Sequence, residues 1–332
     1  MSPRASVIIL NYAGEALLPP CLAALEAQTF PDFELILVDN ASSDRSVEVI
    51  ESFTRRSPLR VKTVLLRENL GCCGNQKGLD RAEGGLIVLL NNDTRPDPRW
   101  LEELVEAADA HPEVGACASK MLVEGTSIID SAGVGYSTLL KGFNHGEGEE
   151  GAKHDDPVLV FGVCTGAALF RRTLLAEMGF HDEDFFLIHD DTDLSFRAQL
   201  AGWKVLYVPT AVVHHKVRAS IGRMSDLAVY HTLRNSEFVR IKNLPAALFL
   251  RFLPEFLAGM LLEFLYFAVK HGRLRLYLRA KRDALKALPR MLEKRRWILA
   301  HRKIDDAAIR AVMTPIFQAS FVREKAAKFF FQ

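Results

Sequence analysis

Three short stretches hold side chains able to work on a charged substrate. "HDDTDL" sets Asp190, Asp191 and Asp193 at the start of a helix-forming run. The positive end of a helix dipole favours carboxylates there. Crowding three of them raises the pKa of one toward the range a general base needs. "LIVLLNNDTRPDPRW" runs five apolar residues straight into Asn91, Asn92, Asp93 and Thr94, then breaks at Pro96 and Pro98. This reads as a strand buried on both faces that ends on one carboxylate flanked by amides. Such strand ends are where α/β proteins place ligands. "AVVHH" carries His214 and His215 at the end of another apolar run, where imidazole is either a plain surface group or a metal ligand.

Alternating strands and helices must bring these groups together. "SVIIL" (6–10) precedes a helical pattern over 16–27, and "FELILVD" (33–39) precedes one over 43–54. "VKTVLL" (61–66) leads to a helix around 76–82, and "GLIVLL" (85–90) to one over 99–110. β-α-β-α order implies a parallel sheet with right-handed crossovers. The loops after its strands share one rim, so Asn11, Asp39, Asn69, Gly71 and Asp93 are expected to converge. Asp39 could instead cap the following helix, although Ser42 or Asp44 would serve for that.

Beyond residue 115 the pattern is mixed. "GACASKML" and "VFGVCTGAALFRR" read as further strands, and residues 142–157 as a polar, glycine-rich loop. Gly202 ends the helix opened by the acidic cluster, and "KVLYV" follows as a short strand.

Net charge is +1, yet residues 245–332 carry 18 basic and 7 acidic side chains, a net of +11, against −10 for residues 1–244. The basic half contains "LPAALFLRFLPEFLAGMLLEFLYFAVK". Arg251, Glu255, Glu263 and the internal Pro254 argue against a membrane span. The three charges fall on one arc and leave a broad apolar face, which suits a helix lying in a membrane interface. Arg and Lys farther along suit anionic headgroups. Interleaved apolar helices disfavour nucleic acid as the partner. The competing reading of the tail is a homodimer core.

The composition, 49% hydrophobic and 25% charged, is that of a folded protein. Five scattered cysteines without C-x-x-C spacing argue against a disulfide framework and a structural zinc site, and point to reducing cytosol. The first strand is too short in apolar residues for a signal peptide.

In the order "SVIILNY", "LEAQTFPDFELILVDNASSDRSVEVI", "RENLGCCGNQKGL", "VLLNNDTRPDPRWL", "TGAALFRRTLLAEMGFHDEDFFLIHDDTDLSFRAQLAGWKVLYVP" and "AVVHHKVRAS", the chain resembles the family 2 glycosyltransferases, and among them the bacterial rhamnosyltransferase type. The resemblance covers most of residues 5–220. It implies an α/β GT-A nucleotide-sugar transferase fold with a Rossmann-like, mostly parallel sheet over residues 1–243 and a helical extension over 244–332. It also implies an inverting sugar transfer in surface polysaccharide synthesis at the cytoplasmic membrane face. The donor would be a UDP- or dTDP-sugar such as dTDP-rhamnose, and the acceptor a glycan or a lipid-linked sugar.

Carried over by motif, Asp191 is the catalytic base, with Asp190 in a slot usually filled by Glu. Asp39 reads the pyrimidine. "NNDT" is a reduced form of the family's metal motif, so Asp93 and His215 would hold Mn²⁺ or Mg²⁺. Asn11, Asn69, Gly71, Asn75, Lys77, Asn92, Gly166 and Trp203 are the expected substrate contacts. The glycine spacing of "NLGCCGNQKG" departs from the family's, which leaves the alignment of Asn75 and Lys77 open. Two readings compete: a nucleotidyltransferase, which would carry a glycine-rich basic loop that "NYAGEALLPPC" lacks, and a non-catalytic membrane-associated partner protein.

Overall fold

The structure is a computed structural model describing residues 2–217 and 224–316. "AVVHHKVRAS" passes out of the described residues after Val217, and the tail does so after Ile316.

The N-terminal half alternates as its pattern requires: β1 (Ala5–Asn11), α1 (Leu18–Glu26), β2 (Phe33–Asp39), α2 (Ser46–Arg56), β3 (Arg60–Leu65), α3 (Gly74–Leu79) and β4 (Leu86–Leu90). The parallel order is β4-β1-β2-β3. Val7, Ile9, Leu35, Leu37 and Val88 pack on one face, and Ile8, Ile36, Val38, Ile87 and Leu89 on the other. Both faces are therefore covered, at about 1.5–3 kcal/mol per buried aliphatic side chain. This is why these strands read as unbroken apolar runs.

The sheet then grows through β5 (Thr94–Pro96), α4 (Trp100–Ala110), β6 (Val114–Val123) and β7 (Ile129–Ser131), while β8 (Val134–Tyr136) and β9 (Gly142–Asn144) pair as a separate two-stranded antiparallel sheet. β10 (Val158–Val160), β11 (Ala167–Arg171), α5 (Arg172–Met178), α6 (Asp190–Leu200) and β12 (Lys204–His215) complete the larger sheet. The full order is β10-β12-β6-β11-β4-β1-β2-β3, with β11 antiparallel between β6 and β4. The short strand expected at "KVLYV" is a twelve-residue strand that continues through "AVVHH". Pro209 lacks a ladder donor, and the register slips between Val208 and Val212, so the strand bulges there and does not end.

α7 (Asp226–Asn243) has no sequence signature because it is packed on several sides. Its buried set includes His231, Asn235, Ser236, Arg240 and Lys242, so no apolar stripe marks it. α8 (Ala246–Arg251), α9 (Leu253–Phe264), α10 (Leu274–Lys286), α11 (Leu288–Ala300) and α12 (Asp306–Val312) follow, with a π-helical turn over Leu265–Lys270. They share one core with the sheet half: Leu248, Phe252, Met291 and Ile298 pack with Tyr136, Phe161, Phe185 and Phe196.

The expected apolar face of this stretch is exposed, but its charges do not share one environment: Arg251 on α8 is exposed and Glu255 half-buried, while Glu263 on α9 turns inward. Glu263 is buried, paired with Lys281 at 2.6 Å and with Lys141. Leu257, Leu261 and Leu262 on the same helix are exposed, as are Leu265 and Val269 in the turn after it. The acid thus faces the protein while the leucines face out. No described helix is long and apolar enough to cross a membrane.

Candidate active site

The rim after β1, β2 and β4 gathers the first group of side chains. Asn11 and Asp39 are register partners on adjacent strands, and Asn11 Nδ2 donates to Asp39 Oδ1 at 3.1 Å. Asn92 Nδ2 donates to Asn11 Oδ1 at 2.6 Å, and the Ser42 amide to Asp39 Oδ2 at 2.9 Å. Asp39 therefore holds its own loop in shape, and a carboxylate has lone pairs left for a further donor. Gly14 sits against this cluster: a Cβ there would lie 2.2 Å from Asn11 Oδ1 and 2.3 Å from Asn92 Nδ2.

The loop after β3 is organised by Asn40, a buried residue that the sequence does not single out. Its amide donates to Asn69 Oδ1 at 2.9 Å and its Oδ1 accepts from the Leu70 amide at 2.8 Å. Gly71 has φ +59, and a Cβ on it would fall 1.9 Å from the Phe186 carbonyl oxygen. That carbonyl accepts from the Cys72 amide at 2.8 Å. The loop thereby lies against the segment that leads into α6.

Antiparallel pairing of β5 with β12 sets His215 opposite Thr94 and beside Asp93. His215 Nε2 is 3.4 Å from Asp93 Oδ1, and Nδ1 is 2.8 Å from Asp130 Oδ2. Burial opposes a charge on this imidazole, but the bonds to Asp130 and Asp93 prevail and raise its pKa to about 10. Asp130, on β7, has no counterpart in the motifs; only tertiary pairing of β7 with β6 brings it here. His214 points elsewhere, toward Asp97 at 3.3 Å.

The acidic cluster opens α6 after two left-handed residues, Ile188 at φ 65 and His189 at φ 66. A β-branched residue in that region is strained. Asn235 of α7, fully buried, donates to both the Leu187 and Ile188 carbonyls at 2.8 Å. Burial, then the charges of Arg240 and Lys141, lower the His189 pKa to about 4, so it is neutral. Asp191 Oδ1 accepts from the Thr192 amide at 2.6 Å. Burial and the neighbouring Asp190 push the Asp191 carboxyl from 3.8 up to about 7.

Asp193 is spent structurally, on Arg197 at 3.0 Å, Lys242 at 2.8 Å and Asn243 at 2.8 Å. Upstream, Lys294 of α11 reaches Asp182 at 2.5 Å and Asp184 at 2.8 Å, and Arg290 pairs with Asp184. The tail helices therefore brace the acid-bearing segment.

A model of glycosyl transferase family 2 matches residues 6–179, more than half of the chain. The chain belongs to glycosyltransferase family 2. This glycosyltransferase is 25% identical over 257 residues to the putative glycosyltransferase EpsH of Bacillus subtilis, covering 73% of the chain and 71% of the relative. It is 28% identical over 257 residues to the N-acetylglucosaminyl-diphospho-decaprenol L-rhamnosyltransferase of Mycobacterium tuberculosis, covering 68% of the chain and 80% of the relative. Its fold resembles GalNAc-T7 crystallised with UDP, GalNAc and Mn²⁺, with a TM-score of 0.58 and 16% identity. That match covers 73% of the chain and 49%, about half, of GalNAc-T7, and it establishes the GT-A fold.

Of the substrate contacts expected in the glycosyltransferase, Asn11, Asp39, Asn69, Gly71 and Asn92 lie on the rim as described. Gly166 joins them, because its carbonyl accepts from the Asn91 amide at 2.8 Å. Asn75 lies 3.5 Å from His181, whose other ring nitrogen is 3.3 Å from Asp190, while Lys77 is exposed on α3. Trp203 is not brought in. It follows the far end of α6, which at 1.5 Å per residue lies roughly 16 Å from the acidic cluster. There its indole donates to Glu177 at 3.0 Å and packs over Gly115, so it is a packing residue.

Proposed function

We propose that this glycosyltransferase is an inverting enzyme that uses a UDP- or dTDP-sugar and builds surface polysaccharide on a glycan or lipid-linked acceptor. The observation that carries the reading is the partly buried Asp191, whose pKa of about 7 suits a base at neutral pH. Asp191 takes the proton of the acceptor hydroxyl as its oxygen bonds to the anomeric carbon. The diphosphate leaves from the opposite face, which inverts the configuration. Burial, helped by the neighbouring Asp190 charge, keeps the Asp191 pKa high. Asp39 accepts the pyrimidine N3–H, and Asn11, Asn69, Gly71, Asn75, Lys77, Asn92 and Gly166 line the donor.

Asp93 and His215 would hold Mn²⁺ or Mg²⁺. Their facing atoms are 3.4 Å apart, near the roughly 3 Å that separates adjacent ligands of an octahedral ion. Asp130, accepting from Nδ1–H, leaves Nε2 as the ligating atom, the usual carboxylate–histidine arrangement. A bound divalent cation neutralises the leaving diphosphate. His215 must shed its proton to take part.

The outward leucines of α9, together with Leu250, Leu278 and Leu285, support docking on a membrane surface at the cytoplasmic face. Basic residues including Arg251, Arg275 and Arg282 suit anionic lipid. The Mycobacterium tuberculosis relative, by its name, acts on a lipid-linked sugar diphosphate with rhamnose, which makes dTDP-rhamnose the first donor to try. Release of free nucleotide from a panel of UDP- and dTDP-sugars tests the proposal. Acceptor-dependent release from one of them supports it, and no turnover of any sugar nucleotide refutes it.

A further inference from the structure

A second set of ligating atoms lies between the loop after β3 and the start of α6. The Cys72 thiol, a ring nitrogen of His181 and a carboxylate oxygen of Asp190 are all within 4.8 Å of one another. The His181 side chain is fully buried, at 0% exposure. Its Nε2 faces the Asn75 amide at 3.5 Å. Its Nδ1 is 3.3 Å from Asp190 Oδ2, yet makes no aligned hydrogen bond. This buried ring nitrogen is thus left without a hydrogen-bond partner among the described residues, beside a carboxylate.

One sulfur, one imidazole and one carboxylate form a different donor set from that of Asp93 and His215. Magnesium and manganese prefer oxygen, whereas sulfur selects zinc and other thiophilic ions. Three protein ligands and one open position are what an accessible zinc site presents. Ligand atoms around tetrahedral zinc lie roughly 3.4–3.8 Å apart. His181 Nδ1 and Asp190 Oδ2 already stand at 3.3 Å, and the Cys72 sulfur, within 4.8 Å of its partners, needs to move by about 1 Å at most. Cys72 and Asp190 are partly exposed, which leaves a path for the ion. The thiol must lose its proton on binding. In the metal-free chain that thiol donates to the Phe185 carbonyl at 3.0 Å, a bond that the ion replaces.

We infer that Cys72, His181 and Asp190 form a binding site for zinc or a similarly thiophilic divalent cation, separate from the Asp93 and His215 pair. An ion there ties the donor loop to the acid-bearing segment and removes the Asp190 charge from beside Asp191. On the reading that Asp191 is the base, zinc inhibits transfer in the presence of saturating Mn²⁺, and a chelator selective for zinc reverses the inhibition.

The test is cobalt substitution in the full chain, stripped of metal and free of donor and acceptor. A thiolate-to-cobalt charge-transfer band reports sulfur ligation, and cobalt held by Asp93 and His215 gives no such band. The expected result is a saturable band that zinc abolishes and excess Mg²⁺ leaves in place. Cys72→Ser removes the band, and Cys73→Ser keeps it. His181→Gln weakens cobalt binding by at least tenfold, since losing a ligand costs no less than the roughly 10–100-fold lost with an outer-shell partner. Circular dichroism and a thermal melt check that each variant is folded. No band in the wild-type chain overturns the inference, as does a band that survives Cys72→Ser or disappears only with Cys73→Ser. Because the band is read without turnover, its failure leaves the proposed transfer reaction standing.

Discussion

The Asn235 amide donates to the Ile188 carbonyl at 2.8 Å and, with the same nitrogen, to that of Leu187. One side chain of α7 thus pins the strained turn from which Asp190 and Asp191 project. Asn235→Ala leaves two carbonyls unbonded, at about 1–3 kcal/mol each, and lets Asp191 drift. A misplacement near 1 Å costs about 10²-fold in rate. The expected result is a fall in kcat of that order, a shifted pH profile and an unchanged donor Kd. Equal kcat in the variant would reduce Asn235 to a packing residue.

The raised Asp191 pKa has a consequence for stability. The folded chain holds this proton more tightly than the unfolded chain does. The stabilisation is complete below pH 3.8 and is lost as pH rises through about 7. The metal-free wild type should therefore lose Tm across that window faster than Asp191→Asn, which has no such proton to release. Parallel curves for the two proteins would mean that Asp191 titrates normally.

Asp130 orients His215 from behind. Asp130→Asn should weaken Mn²⁺ binding by about 10–100-fold, the usual cost of losing such a partner, with donor binding falling in step. Calorimetric titration with Mn²⁺ measures the change. An unaltered affinity would detach Asp130, and with it the orientation of His215, from the metal.

The parallel core was legible in the sequence because β1, β2 and β4 are buried on both faces and read as apolar runs. The rim residues Asn11, Asp39 and Asp93 were legible for the same reason, since each ends such a run. Asp130, Asn40 and Asn235 were not. Each is a polar residue without a local pattern, and its partner lies on an element distant in sequence. Trp203 was misplaced because a motif gives order along the chain and says nothing of which end of α6 faces the rim. Glu263 misled in another way. Helical periodicity groups it with Arg251 and Glu255 on one charged face, but pairing with Lys141 and Lys281 turns it inward.

The exposed leucines of α9 and α10 predict membrane binding. Vesicles containing anionic lipid should co-sediment the protein at low salt and release it as salt screens the basic residues. Leu257→Ser combined with Leu261→Ser should weaken binding without lowering Tm, because both side chains are more than half exposed, at 57% and 58%. A protein that ignores anionic vesicles and elutes as a stable dimer would assign this face to a second copy of the chain.

In the proposed mechanism Asp191 removes the acceptor proton. Single-turnover transfer by Asp191→Asn, measured beside donor binding by calorimetry, tests it most directly. Transfer should fall by roughly 10²–10⁴-fold, the worth of a positioned base, while donor and Mn²⁺ affinities stay within a few fold of the wild type. A folded variant that transfers sugar at nearly the wild-type rate would contradict this role.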